Sequence, residues 1–262
     1  MENPNLNIIG IIPARMGSSR FPGKPLEKIL GMPMVGHVYF RSKMAETLNE
    51  VYIATCDQVI GDYADSIGAK WVMTKDIYKE PPERVVEAAM KIEEATGEKL
   101  DIVVMIQGDE PMVFPEMIDL ALESMLKDPS IQITNLMAPI KTREEYNDPN
   151  CPKVVVDPNN FAMYFSREPI PSWKKGAKEV PMFKQVCIIP FRRDFLFKFN
   201  ELEATPLEKI ESIGVLRAME HGYKVKMVPE NYDTYSVDTP EDLKKVEKLM
   251  EKDPLVKNYA RN

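Results

Sequence analysis

Residues 7–13 (NIIGIIP) form a compact β-branched run, the pattern of a strand covered on both faces rather than one. "EVYIATCD", "KWVMT" and "DIVVMIQGDEP" repeat it as a second, third and fourth strand. Between them the spacing changes to helical. "MPMVGHVYFRSKMAETL" places Val35, Val38 and Tyr39 on one face, with Met44 and Leu48 further on. "QVIGDYADSIG" reads as a helix closed by Gly68, and "ERVVEAAMKIEEATG" as one closed by Gly97. Strand–helix alternation implies right-handed βαβ units and a Rossmann-like, mostly parallel sheet, hence an α/β fold.

From about residue 133 the pattern shifts to strands and turns: "ITNLMAPI", "KVVVDPNNFAMYFSR" and "MFKQVCIIPFRR", with "DPNN" as a turn. "PLEKIESIGVLRAMEHG" predicts one helix, because Leu207, Ile210, Ile213, Leu216 and Met219 recur at helical spacing and Gly222 lies just past its end. A strand (YKVKMVPE) follows, then a terminal helix with Asp238 or Thr239 as N-cap and Pro240 at its first position. The expected division is an α/β core of residues 1–132 and 205–262, to which the resemblance set out below assigns nucleotide binding. Residues 133–204 are expected to form an insert or a smaller acceptor-binding and dimerisation subdomain.

Ligands of open α/β sheets bind beyond the carboxyl ends of the strands. Two polar clusters fall there. One is the loop "ARMGSSRFPGK" (residues 14–24), where Arg15, Arg20 and Lys24 supply charge and the glycines let backbone N–H groups approach an anion. The spacing is not a Walker A, so this is another way of cradling phosphate; the competing reading is a solvated connection with incidental basic residues. The other cluster is Gln107-Gly108-Asp109-Glu110-Pro111, which suits either a turn or a carboxylate for Mg²⁺. Asp238 is a second carboxylate at a strand end, with helix capping as its alternative role.

Composition narrows the choices. A net charge of -7 argues against a general nucleic-acid binder. No stretch is apolar enough to span a membrane, and the first residues lack a signal-peptide pattern, so a cytoplasmic protein with no membrane partner is expected. Cys56, Cys151 and Cys187 are far apart and suggest neither a disulfide framework nor a zinc site. His37 and His221 lie in helical patterns, and Trp71 and Trp173 read as packing residues. No GxSxG elbow and no GxGxxG fingerprint occur, which removes the serine-hydrolase and dehydrogenase readings.

Five segments in order, "IIPARMGSSRFPGKPL", "QGDEPM", "KVVVDPNNFAMYFSREPIP", "TPLEKIESIGVLRAMEHG" and "VDTPEDL", resemble the CMP-Kdo synthetases, the cytidylyltransferases that make CMP-3-deoxy-manno-octulosonate. The resemblance runs from about residue 8 to residue 250. It implies a fold of the nucleotide-diphospho-sugar transferase type, a homodimer, CTP and an acidic sugar as substrates, and Mg²⁺ as cofactor. It implies catalytic roles for Arg15, Lys24 and Asp109, and nucleotide binding by Ala14, Arg15, Ser18, Arg20, Lys24, Thr74 and Gln107. It further implies metal binding by Asp109 and Asp238, and acceptor binding by Arg84, Gln107, Arg167, Gln185 and Glu211.

Two segments depart from the family pattern. Where the family usually reads Ser-Gly-Thr-Glu-Arg, this chain has Glu80-Pro81-Pro82-Glu83-Arg84; the prolines are expected to stiffen a loop and remove two backbone donors. The segment Gln185-Val186-Cys187-Ile188-Ile189-Pro190-Phe191 replaces a His and a Tyr of the family pattern. Altered donors in a polar pocket change discrimination between acceptors. The alternative expectation is therefore CMP transfer to a different anionic acceptor, such as another ulosonic acid, an amino-substituted Kdo or a phosphonate.

Overall fold

A computed structural model describes residues 6–17, 21–78, 80–172 and 180–260. The chain divides into two compact units, residues 1–119 with 233–262, and residues 120–232. These boundaries differ from the expected ones. The second unit takes in the segment before residue 133 and everything from 205 to 232.

The first unit carries β1 (Ile8–Ala14), a 3₁₀ turn (Lys24–Leu26), the short hairpin β2 (Lys28–Ile29) and β3 (Met32–Pro33), and α1 (Met34–Ser42). It continues through β4 (Glu50–Thr55), α2 (Gln58–Ser66), β5 (Lys70–Met73), α3 (Pro81–Thr96) and β6 (Ile102–Ile106). The chain leaves this unit within α4 (Pro115–Lys127). The strands run β6-β1-β4-β5, all parallel, with Gly10 level with both Val51 and Val104. Every residue of β6 is buried, as its continuous apolar run requires. Gly68 and Gly97 end their helices at φ +68° and +71°, the left-handed backbone that favours glycine. The chain orders β1, β4 and β5 in one direction and then places β6 on the opposite side of β1. The switch point thus lies between the ends of β1 and β6.

The second unit has a mixed sheet from β7 (Thr134–Pro139), β8 (Lys153–Val156), β9 (Ala162–Ser166), β10 (Phe183–Val186) and β12 (Lys226–Pro229), in the order β12-β7-β10-β8-β9. Only β12 with β7 is parallel. The expected strand over residues 182–193 is broken: β10 stops at Val186 and β11 runs Ile188–Arg192. Buried Asn135 holds the break, its side-chain N–H₂ donating to the carbonyls of Val186 (2.6 Å) and Ile188 (3.4 Å). Helices α5 (Arg143–Asn147), α6 (Arg193–Glu201), α7 (Pro206–Glu211) and α8 (Val215–Glu220) complete this unit.

One helix expected over residues 206–222 is therefore two. Ser212 sits at φ +52° and interrupts it. The guanidinium of Arg167 takes the carbonyls of Glu211 and Ser212 that a continuous helix would have used, and Ile210, on the predicted apolar stripe, is 75% exposed.

The chain returns to the first unit with α9 (Pro240–Met250) and α10 (Val256–Tyr259). Thr239 is the N-cap, in a capping box with Asp242, and Pro240 occupies the first helical position. Asp238 is thus released from the capping role. Met112, Val237, Val246 and Met250 pack with Ile29 and Met34 in one buried cluster. Beside it, fully buried Arg41 pairs with Asp253 and donates to the hydroxyl of Tyr259 (2.9 Å). His37 is a packing residue, its Nε2 bonding the Ile29 carbonyl at 2.8 Å. Trp71 packs over Gly61, while Trp173 lies outside the described residues.

Candidate active site

The site grows from the ends of β1 and β6. Buried strand residues give way to Ala14 and exposed Arg15 on one side, and to Gln107-Gly108-Asp109 on the other. The two ends approach so closely that a Cβ on Gly108 would lie 3.0 Å from the Pro13 carbonyl oxygen, so this position takes glycine. The basic loop leaves β1 with the Met16 N–H donating to the Asp57 carboxylate (2.8 Å), and closes with Gly23 N–H donating to the Met16 carbonyl (3.0 Å). Gly23, at φ +77°, opens the 3₁₀ turn that begins at Lys24. Ser18 and Arg20 lie outside the described residues.

Lys24 turns inward. Its Nζ donates to Val237 O (2.7 Å), Asp109 Oδ2 (2.8 Å) and Asp238 Oδ1 (3.3 Å). The Val237 N–H donates to the Asp109 carbonyl (2.9 Å), which fixes the 237–238 segment against the end of β6. Buried Val237 and Met112 anchor the two carboxylates from behind. Lys24, Asp109 and Asp238 are thereby brought together.

A cleft beside this cluster's strand ends is lined by Pro13, Ala14, Arg15, Tyr78, Glu80, Pro81 and Arg84. Arg15 reaches across to the Tyr78 carbonyl (3.5 Å). Arg84 is 3% exposed; one of its terminal nitrogens donates to the Thr74 hydroxyl and the other has no hydrogen-bond partner. A buried unpartnered N–H₂ on a cleft wall is costly unless a ligand accepts from it. Arg84, expected on the acceptor side, thus lies in the first unit with Ala14, Arg15 and Thr74. Pro81 and Pro82 do not stiffen a loop. They are the first two positions of α3, where backbone N–H groups have no helical partner in any case. Glu80 caps that helix in a reciprocal box with Glu83. Pro13 and Tyr78 were not singled out by sequence, and Glu80 was singled out only as a departure from the family pattern; the signal available was the position of this segment after the end of β5.

In the second unit, Arg167 and Glu211 come together. The Glu211 carboxylate accepts from the Tyr164 hydroxyl (2.9 Å), the Ser166 hydroxyl (2.8 Å) and the Arg167 backbone N–H (2.8 Å). Burial pushes this carboxyl up, but the hydrogen bonds from Arg167, Ser166 and Tyr164 outweigh it and hold it below its usual range. Gln185 is engaged elsewhere, donating to the Asn135 side-chain oxygen (2.6 Å).

Among the described residues no group of three or more His, Cys, Asp or Glu side chains is placed to hold a metal. Two carboxylates do converge on one cation, the Lys24 ammonium. That donor set fits Mg²⁺, which takes one or two carboxylates and completes its shell with phosphate oxygens and water. No helix of the described residues is long and apolar enough to cross a membrane.

A parallel sheet with a basic loop and paired carboxylates at its switch point belongs to the class of nucleotide-binding transferases. The cytidylyltransferase family model matches residues 9–228. The 3-deoxy-manno-octulosonate cytidylyltransferase of Geotalea uraniireducens (strain Rf4) is 37% identical over 257 residues, covering 94% of this chain and 100% of the relative. The mitochondrial 3-deoxy-manno-octulosonate cytidylyltransferase of Arabidopsis thaliana is 40% identical over 245 residues, 93% of this chain and 83% of the relative. The solved structure of CMP:2-keto-3-deoxy-manno-octonic acid synthetase complexed with CTP superposes with a TM-score of 0.87 at 36% identity, over 94% of this chain and 98% of that one. The chain belongs to the 3-deoxy-manno-octulosonate cytidylyltransferase family, and it is a nucleotidyltransferase.

Proposed function

We propose that this protein transfers CMP from CTP to 3-deoxy-manno-octulosonate and releases pyrophosphate. The observation that carries the reading is the convergence of Lys24, Asp109 and Asp238 at the switch point of a chain so similar to these synthetases. A hydroxyl of the sugar acid attacks the α-phosphorus of CTP in line. The new O–P bond forms as the bond to the β-phosphate oxygen breaks, and the hydroxyl proton leaves to solvent. Arg15 and Lys24 neutralise phosphate charge, so catalysis is mainly positioning and electrostatics. Asp109 and Asp238 would hold Mg²⁺, which supplies further charge neutralisation on the phosphates. Arg84, with its unpartnered N–H₂ on the cleft wall, serves the nucleotide in this reading, together with Ala14, Thr74 and Gln107.

On the acceptor side we assign Arg167 and Glu211, held by each other and by Tyr164 and Ser166. Gln185 spends its side-chain N–H₂ on Asn135, and we assign it no acceptor contact. The named activities of the relatives favour 3-deoxy-manno-octulosonate over another anionic acceptor. Cys56, Cys151 and Cys187 form no disulfide, which suits a reducing compartment, and we place the protein in the cytoplasm. We also propose a homodimer; Ile210 and Met163, 75% and 64% exposed, are apolar side chains that an interface would cover. Phosphorus NMR of CTP and 3-deoxy-manno-octulosonate with the protein tests the activity. A new phosphodiester signal with equimolar pyrophosphate is expected, and slow loss of the γ-phosphate alone would refute it.

A further inference from the structure

The Lys24 ammonium has three N–H donors, and the structure gives it three acceptors: the Val237 carbonyl and one oxygen each of Asp109 and Asp238. Its side chain is 12% exposed, less than either carboxylate at 28% and 20%. An ammonium saturated in this way has no donor left for a triphosphate. Carboxylates neutralised in this way have also lost much of their attraction for a divalent cation, which the ammonium itself repels. The two roles assigned to this cluster therefore cannot both be met in the arrangement seen.

We propose that Lys24 is a built-in counter-ion that keeps divalent metal out until nucleotide arrives. Without nucleotide it holds Asp109 and Asp238 together and competes for them. The triphosphate draws the ammonium away, its four-carbon stem allowing the swing, and the carboxylates pass to the metal. Metal and nucleotide then load together rather than metal first. The Val237 carbonyl is the return anchor, fixed in place by the bond from its own N–H to Asp109. This inference rests on the nucleotidyl-transfer reading above.

The test is Mn²⁺ binding to the full chain without nucleotide, followed by the free-ion EPR signal. Lys24→Gln and Lys24→Met remove the charge, and the glutamine keeps an N–H donor for Val237. Both are expected to bind Mn²⁺ at least about tenfold tighter than wild type, whereas Lys24→Arg stays within about twofold of it. Adding Asp109→Asn to Lys24→Gln should abolish the gain. Neutral variants that bind no tighter, or an arginine variant that gains as much as they do, would overturn the proposal. A measurement on the unmutated protein guards against misfolded variants: Mn²⁺ should speed acylation of Lys24, read by peptide mass spectrometry, and unchanged labelling at saturating Mn²⁺ also overturns it. Neither arm contains a substrate, so a failure here is separate from a failure of wild-type pyrophosphate release.

Discussion

Replacing Glu211 tests how the second unit holds its arginine and hydroxyls. The carboxylate takes two hydroxyl hydrogen bonds on Oε1 and the Arg167 N–H on Oε2. In Glu211→Gln the amide oxygen must face the Arg167 N–H, because the hydroxyls can rotate to accept from the amide N–H₂ and the backbone cannot. All three contacts survive, but without charge. Bonds to a charged group contribute about 1.5–3 kcal/mol and neutral ones about 0.5–1.5, so three bonds lose about 3 kcal/mol before the relief of desolvating a carboxylate. We expect a net cost of about 1–2 kcal/mol. Glu211→Ala removes every acceptor and leaves the Arg167 N–H and the O–H donor of buried Ser166 without a partner, although the Ser166 oxygen still accepts from the Glu168 N–H, for about 3 kcal/mol. Urea unfolding followed by circular dichroism at pH 7 reads this directly, about 2 kcal/mol shifting the midpoint by about 1 M.

The pH dependence adds a check with a fixed sign. The Glu211 carboxyl is held below 4.5 in the folded protein, so its stabilisation is complete above that value and is lost as pH falls through the lower folded value. The gap between wild type and Glu211→Gln should therefore close below pH 4.5. A gap that is constant down to pH 3, or an alanine variant no less stable than the glutamine one, would refute the reasoning.

Two other substitutions separate stability from chemistry. Arg41→Met leaves the Asp253 carboxylate buried without a countercharge and should cost about 3–5 kcal/mol, lowering the thermal midpoint by about 10 °C; Arg41→Met with Asp253→Leu should recover part of it by calorimetry. Asp109→Asn should reduce the maximal rate of pyrophosphate release by about 10²–10³-fold, with the thermal midpoint within about 2 °C of wild type.

The alternation of apolar strands with helices made the first unit legible in the sequence, down to the left-handed glycines at 68 and 97, because both patterns are local. The gathering of Lys24, Asp109 and Asp238 was legible in outline, because all three lie at strand ends where open α/β sheets bind ligands, but their direct contacts were not. The partners are 85 and 214 residues apart along the chain, and capping was an equally local explanation for Asp238. The structure resolves that choice by giving the cap to Thr239. The break at Ser212 was hidden because Ile210 and Ile213 keep helical spacing while the carbonyls are captured by Arg167, far off in sequence. The proline pair misled for a related reason: Pro81 and Pro82 remove only N–H groups that the first turn of a helix leaves unused. The division into units was hidden likewise, since β12 joins β7 by a pairing that no local pattern encodes.

The most direct test of the account is steady-state pyrophosphate release with CTP and Mg²⁺, comparing 3-deoxy-manno-octulosonate with other ulosonic acids, an amino-substituted analogue and small phosphonates, and with UTP and ATP as nucleotide controls. The account predicts the highest kcat/KM for CTP with 3-deoxy-manno-octulosonate. Silence with that acid, alongside turnover of another anion, would contradict it and make the altered 80–84 and 185–191 segments determinants of a different specificity.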